Sequence, residues 1–565
     1  MSEHDEARGG TGIGRRTFLQ TGAAGAIGLA AAAGALTAAG CGKPSEAPHQ
    51  AAAGSPGTGS FELEEMTLAD LQKRMTSGED TTRSLIDRYI ARIDQVDKSG
   101  PMLRSLIEVN PDAHAIAASL DAERRAGHLR GPLHGIPVII KDNIGTADQM
   151  PTAAGSLALA TSIVPKDAFI AQKLREAGAV ILGKANLSEW ANYRSTHSSS
   201  GWSGRGGQCA NPYALDRNPS GSSAGSGAAT SANLCAMAIG TETNGSIVSP
   251  SNANGVVGLK PTVGLWSRSV IIPISQTQDT AGPMGRTVAD VATLLGPLTG
   301  VDPADPATAA SAGKSLTDYR KFLDPNGLKG ARLGVPRQHL FGYSPAADRI
   351  VEAALDTLKK LGAEIIDPAD IPTLADLGKG EGLVLSYEFK AGLNAYLAAL
   401  GPSAPVHTLA DIIAFNDQHK DQEMPYFGQE LFLAAEARGP LTSKEYLDAL
   451  ASDRRLSRTE GIDAVMDKYK LDAFVCPTGA PASLTDLVNG GYGFGGSSAI
   501  AAIAGYPHIT VPAGYHFGLP VGLSFFGRAW SEPTLIRLAY AFEQATKHRT
   551  PPKFLKTANL AIGNA

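Results

Sequence analysis

The sequence predicts a layered α/β fold, and three observations carry the expectation. Short apolar runs alternate with helical patterns, the run Ile136-Pro-Val-Ile-Ile140 has no polar face at all, and strand-like segments return near the C-terminal end. A strand apolar on both sides belongs inside a sheet covered by helices on both faces.

The elements follow in order. Helical periodicity runs from Leu63 to about Arg125 and includes Ser84-Leu-Ile-Asp-Arg-Tyr-Ile-Ala-Arg-Ile93. Ile136 to Ile140 reads as a buried strand of the parallel type. Lys173-Leu-Arg-Glu-Ala-Gly178 reads as helix and Ala179-Val-Ile-Leu182 as the strand after it. The alanine-rich stretch 225–240 reads as a buried helix. From about 315 to 470 the chain is more polar and mostly helical, which predicts a helical insertion. Strands resume at Ile509-Thr-Val511 and Val521-Gly-Leu-Ser-Phe-Phe526. The organisation expected is a leader over 1–41, a linker over 42–60, one folded region over 61–555 and a tail over 556–565.

The first 60 residues stand apart from the fold. Arg15-Arg-Thr-Phe-Leu-Gln20 precedes a weakly apolar Gly/Ala run over 22–40, the pattern of a twin-arginine export signal. Leu36-Thr-Ala-Ala-Gly-Cys41 resembles a lipoprotein cleavage box, with Cys41 as the lipidated residue, although its leucine sits further from the cysteine than usual. An ordinary cysteine in a cleaved leader is the competing reading. Residues 43–60, rich in Ala, Gly, Pro and Ser, read as a flexible tether. The mature chain is therefore expected in the periplasm or cell envelope, with a membrane tether through Cys41.

Composition narrows the function. The 565 residues carry a formal net charge of −5, which argues against nucleic-acid binding and against an acidic substrate drawn in by bulk charge. Specificity must then lie in a pocket. Cys209, Cys235 and Cys476 are an odd number at unrelated spacings, so no disulfide framework is expected.

The chemistry concentrates in three segments: Gly135-Ile-Pro-Val-Ile-Ile-Lys-Asp-Asn143, Ser220-Gly-Ser-Ser-Ala-Gly-Ser226 and Thr241-Glu-Thr-Asn-Gly-Ser-Ile247. A serine that attacks carbonyls needs a base within hydrogen-bond reach and donors for the developing oxyanion. Lys141 ends a buried strand, where burial can bring its amine down to a useful pKa, and the carboxyl ends of strands are where open α/β sheets build sites. Small residues around Ser222 allow close approach of backbone. Gly245 permits the tight geometry in which successive N–H groups face one oxygen.

Other templates fare worse. Gly221-Ser-Ser-Ala-Gly225 matches a nucleophile elbow with Ser223 as nucleophile, but Asn211-Pro-Tyr-Ala-Leu-Asp-Arg-Asn-Pro219 before it is no strand. Ser311-Ala-Gly-Lys314 matches Ser-x-x-Lys without its companion motifs. His128 and His134 flank a turn, and there is no His-Glu-x-x-His, Cys-x-x-Cys or nucleotide glycine pattern, so neither metal nor cofactor is implied.

Together the three segments resemble the amidase signature family, in the family's order and with its serine spacing. The resemblance continues through Asn254-Gly-Val-Val-Gly-Leu-Lys-Pro-Thr262, Gln278-Asp-Thr-Ala-Gly-Pro-Met284 and Asp472-Ala-Phe-Val-Cys-Pro-Thr478. Segments such as Gly201-Trp-Ser-Gly-Arg-Gly-Gly-Gln208, Tyr387-Glu-Phe-Lys-Ala-Gly392 and Phe427-Gly-Gln-Glu430 resemble the family's peptide amidase branch, which acts on C-terminal amides of peptides. Two departures stand out. Glu242-Thr-Asn-Gly-Ser-Ile-Val248 replaces the commoner Asp-Thr-Gly-Gly-Ser-Ile-Arg, and Ser220 stands where many members have glycine.

The resemblance implies a layered α/β/α fold around a central mixed sheet, with the middle region forming part of the substrate cleft. It implies a Ser-Ser-Lys triad: Lys141 takes a proton from Ser222, Ser222 takes one from Ser246, and Ser246 attacks the amide carbon to form an acyl-enzyme. It also implies a cis peptide at Ser222, an oxyanion hole of backbone N–H groups from Thr243, Asn244 and Gly245 with Ser246, and a supporting role for Ser223. Trp202, Tyr387 and Phe427 line the cleft on this reading, against ordinary aromatic packing. The substrate is a peptide amide or another small amide. The rivals are an aliphatic, aryl or fatty amidase, a glutamine-amidotransferase component, and an inactive lipid-tethered binding protein.

Overall fold

The computed structural model describes residues 60–561 apart from Tyr492 and Phe494. The expected leader and most of the linker lie outside the described residues, as do residues 562–565 of the tail.

The layered α/β expectation holds. The described residues form thirteen strands: β1 Leu106–Val109, β2 Pro137–Lys141, β3 Val180–Ala185, β4 Trp202–Ser203, β5 Gly207–Gln208, β6 Met237–Glu242, β7 Val257–Lys260, β8 Thr280–Gly285, β9 Arg332–Gly334, β10 Glu364–Ile366, β11 Ala473–Pro477, β12 His508–His516 and β13 Leu519–Phe526. Eleven form one sheet in the order β1-β3-β2-β6-β8-β7-β12-β13-β11-β9-β10, and β4 pairs with β5 in a separate ribbon. β2 runs parallel to both β3 and β6, while β6 and β8 are antiparallel, so the sheet is mixed. Every residue of β2, β3 and β6 is buried, which explains why their sequences show no polar alternation.

The N-terminal helical stretch is interrupted. Helices Leu68–Ser77 and Thr82–Val96 begin on Thr67 and Thr81, each accepting the N–H three residues on. Gly100-Pro101 then stops the helical run, and β1 pairs antiparallel with β3 before helix Ala113–Arg125. The stretch 225–240 divides similarly. Helix Ala224–Ser231 ends, Asn233 turns at φ 60°, and β6 follows between β2 and β8. The middle region is helical from Glu381 to Tyr469 except for short connections, but β9 and β10 add a parallel edge to the sheet through β11. These two strands have three residues each, too few to show alternation.

One core runs along the sheet, from Leu71 and Ile86 through Ile139 and Ile239 to Phe525 and Phe542. A second, around Trp190, Phe389 and Phe432, sits beneath the middle helices. No described helix is long and apolar enough to cross a membrane.

Gly225, on the helix that leaves the serine loop, is hemmed in by backbone on two sides: a Cβ there would lie 2.1 Å from the Ser105 carbonyl oxygen and 2.5 Å from that of Asn186. Gly225→Ala is expected to lower stability by about 3 kcal/mol, since backbone on both sides would have to shift. Urea denaturation measures this, and an unchanged midpoint would contradict it.

Candidate active site

Strands β2 and β6 lie side by side, with Ile140 opposite Ile239, and the three segments meet at their carboxyl ends. Lys141 is fully buried. Its Nζ lies 2.7 Å from Ser222 Oγ, 2.9 Å from Thr241 Oγ1 and 3.1 Å from the Thr241 carbonyl oxygen. Burial pushes its pKa down to about 7, against the opposing pull of the Asp279 and Glu242 carboxylates.

A neutral amine has two protons and one lone pair. Thr241 offers two acceptors to the Nζ protons, which leaves the lone pair for the Ser222 hydroxyl. Thr241 stands within the third of the sequence segments, yet no local pattern there marks it out. Its hydroxyl also accepts from Asn143 Nδ2 at 3.0 Å, and its carbonyl accepts from Ser223 Oγ at 3.1 Å. The Thr241 N–H donates back to Ser223 Oγ at 3.2 Å. Ser223 is thus fastened to β6, and the residues before the serine loop form no strand directly ahead of it, so the elbow template does not apply. Asp142 turns away from the amine: it accepts the Gly155 N–H at 2.8 Å and pairs with Arg205 at 3.2 Å.

The Gly221–Ser222 peptide bond is cis. Ser246 lies close to the serine loop through its backbone, its carbonyl accepting the Ser223 N–H at 3.1 Å. Its hydroxyl, however, makes no hydrogen bond among the described residues. The structure therefore joins Lys141 to Ser222 directly and leaves the Ser222–Ser246 link open.

The loop before Ser246 has a clear division of labour. The N–H groups of Thr243, Asn244, Gly245 and Ser246 donate no hydrogen bond among the described residues. The next two, from Ile247 and Val248, are both taken by the buried Glu242 carboxylate, at 2.7 and 3.0 Å. Gly245 has φ +83°, and a Cβ there would meet the Ser249 and Ser498 hydroxyls at 2.9 Å. Four consecutive free donors at one turn suit a developing oxyanion.

Two cavities flank this centre. One, of about 410 Å³, is bordered by Asn143, Thr241, Thr243 and Asp279 and walled by the apolar Val270–Ile274 stretch and Tyr396. The other, of about 450 Å³, is bordered by Ser220 and Ser249 and by hydroxyls and amides such as Asn192, Ser195 and Asn218. Trp202, Tyr387 and Phe427 line neither. Trp202 and Phe427 enclose the buried Arg194 guanidinium, 5.5 and 4.4 Å from their ring centroids, and Arg194 pairs with buried Glu189 at 3.1 Å. Tyr387 packs on Tyr446 in a separate cluster and donates its hydroxyl to Glu445.

Known proteins match this chain over the same ground. The Amidase family model matches residues 84–536. A probable amidase of Arabidopsis thaliana is 44% identical over 88% of this chain and 93% of its own length. A glutamyl-tRNA(Gln) amidotransferase component from Halorhodospira halophila is 34% identical, over 87% of this chain and 99% of its own. The crystal structure of the native peptide amidase from Stenotrophomonas maltophilia superposes with a TM-score of 0.83 at 51% identity, covering 88% of this chain and all of that one. The chain belongs to the amidase signature family and is an amidase, a hydrolase of carbon–nitrogen bonds in amides. Within the family it stands with the peptide amidase branch.

Thr241→Val keeps the shape at this hub but removes an acceptor that favours the charged amine. The expected result is a lower kcat with the acid limb of the pH profile moved to lower pH; an unmoved limb would mean that the hydroxyl does not set the amine's charge.

Proposed function

We propose that the protein hydrolyses the C-terminal carboxamides of peptides through an acyl-enzyme on Ser246, with Ser222 as proton relay and Lys141 as base. The observation that carries the reading is the buried Lys141 amine, held near pKa 7 and 2.7 Å from Ser222 Oγ. Likeness to the Stenotrophomonas maltophilia peptide amidase supports the choice of peptide amides.

On this reading neutral Lys141 accepts the Ser222 proton as Ser222 accepts that of Ser246. The Ser246–Ser222 hydrogen bond forms in the substrate complex, where catalytic contacts tighten. Ser246 Oγ bonds to the amide carbon, and the negative oxygen is held by the N–H groups of Thr243, Asn244, Gly245 and Ser246. The relay then returns the proton to the departing nitrogen, so ammonia leaves neutral as the carbon–nitrogen bond breaks. Water attacks the ester by the same route, releasing the free acid and restoring Ser246.

Ser246→Ala is expected to abolish ammonia release from peptide amides, and Lys141→Met to lower it by about 10³-fold, the scale of general-base catalysis. In the wild type kcat/KM should rise with pH through about 7, as Lys141 loses its proton. The same shift predicts a stability effect. The folded pKa lies below the unfolded one of about 10.4, so the buried amine opposes folding fully below about pH 7 and progressively less as pH rises. Lys141→Met should therefore keep or raise the melting temperature at pH 7. A flat rate profile down to pH 5, or full activity in either variant, would sink the triad. Release from aliphatic or aryl amides alone would move the enzyme to another branch.

The reading extends to location: export by the twin-arginine signal, with the mature chain anchored through lipidated Cys41. These residues lie outside the described ones, and the sequence pattern is their support. Export counts against work as part of a cytoplasmic amidotransferase. Cell fractionation is expected to find the wild type in the membrane fraction and Cys41→Ser in the soluble envelope fraction; a soluble wild type would remove the anchor.

A further inference from the structure

The Asn244 side chain is unusual among the oxyanion-loop groups because both of its ends are engaged by other parts of the fold. Its Nδ2 donates to Glu381 Oε1 at 2.8 Å, and its Oδ1 accepts from Ser498 Oγ at 2.7 Å. Glu381 opens the helix Glu381–Ala399 in the middle region, and Ser498 opens the helix Ser498–Ala504. Gln278 closes the frame: its Nε2 donates to the same Glu381 oxygen at 3.0 Å and to the Thr243 carbonyl at 3.3 Å. Thr243 Oγ1 is in turn held by Asp279 at 2.5 Å.

The Thr243 hydroxyl and carbonyl and both ends of the Asn244 side chain are thus tied down from outside, while the N–H groups of the turn stay free among the described residues. We propose that Asn244, through its side chain, and Glu381 are positioning residues for the oxyanion hole, coupling the middle helical region to catalysis. The inference rests on the proposed hydrolysis at Ser246. Its physical basis is preorganisation: donors that must be aimed during reaction contribute less than donors already fixed. Glycine at 244 would lose both side-chain bonds and gain backbone freedom. Neither side chain needs to touch substrate, so the damage should fall on the transition state rather than on ground-state binding.

The test is a set of variants in the full chain: Asn244→Gly, Glu381→Ala, Glu381→Gln and the double variant Asn244→Gly/Glu381→Ala. Peptide-amide turnover and the rate of Ser246 labelling by a fluorophosphonate are measured together. Asn244→Gly and Glu381→Ala are expected to lower kcat about tenfold or more with KM within about twofold, and to slow labelling by a similar factor, a fraction of the loss on deleting an oxyanion donor outright. Glu381→Gln keeps an acceptor for Asn244 and Gln278, and should stay within about threefold of wild type. The double variant should be no worse than the poorer single one, as for two partners in one contact. Wild-type kcat in Asn244→Gly, a change confined to KM, or losses that multiply in the double variant would each overturn the proposal. Failure of the substrate reading looks different: the wild type would label at Ser246 yet release no ammonia from peptide amides, and the labelling rates would still decide the role of Asn244.

Discussion

Burying an ammonium group is among the most unfavourable things a protein interior can do, and the site depends on that cost. Lys141 sits at the end of a strand with no exposed residue, and its charged form is destabilised until the amine is about half neutral near pH 7. A neutral amine beside a hydroxyl is a base. The same burial also sets what must surround it: acceptors for two protons, which Thr241 supplies from the neighbouring strand, and a hydroxyl for the lone pair, which Ser222 supplies from the serine loop. Lys184 and Lys260, buried to the same degree and pushed down to about 8, show that burial alone does not make such a site. Lys184 donates to the Ile144 carbonyl and the Thr152 hydroxyl, with no serine against it that a glycine-rich loop presents.

The second constraint is that four N–H groups in succession remain unused. Backbone donors near a core are nearly always paired, so the loop must be held by everything except those donors. Glu242 takes the two N–H groups that follow, Asp279 and Gln278 hold Thr243, and Glu381 and Ser498 hold Asn244. Two of the departures from the commoner family motif, Glu242 and Asn244, fall on these clamps. Glu242 and Asn244 are both side chains that reach beyond their own turn.

How much of this was legible follows from the range of each interaction. That Lys141, Ser222 and the turn carrying Ser246 come together could be anticipated, because each stands in a local pattern with a chemical meaning. Thr241 could not be singled out, since its importance arises only when β2 and β6, about a hundred residues apart, become neighbours. β6 itself was hidden in an alanine-rich stretch because a strand buried on both faces and a buried helix have the same composition. β9 and β10 are too short for any period to show, and their partner β11 lies far along the chain. Trp202 and Phe427 were placed at the cleft only by resemblance to the peptide amidase branch; in the fold they surround a buried arginine whose position no local pattern indicates.

Catalysis of this kind requires Lys141 to be a neutral amine under working conditions. Its titration can be followed directly by NMR of ¹³C-labelled lysine side chains in the folded protein, with Lys141→Arg to assign the signal. A midpoint near pH 7 is expected. A midpoint near the ordinary lysine value of about 10.4 would contradict it, because the amine would then be charged at neutral pH and unable to take the proton from Ser222.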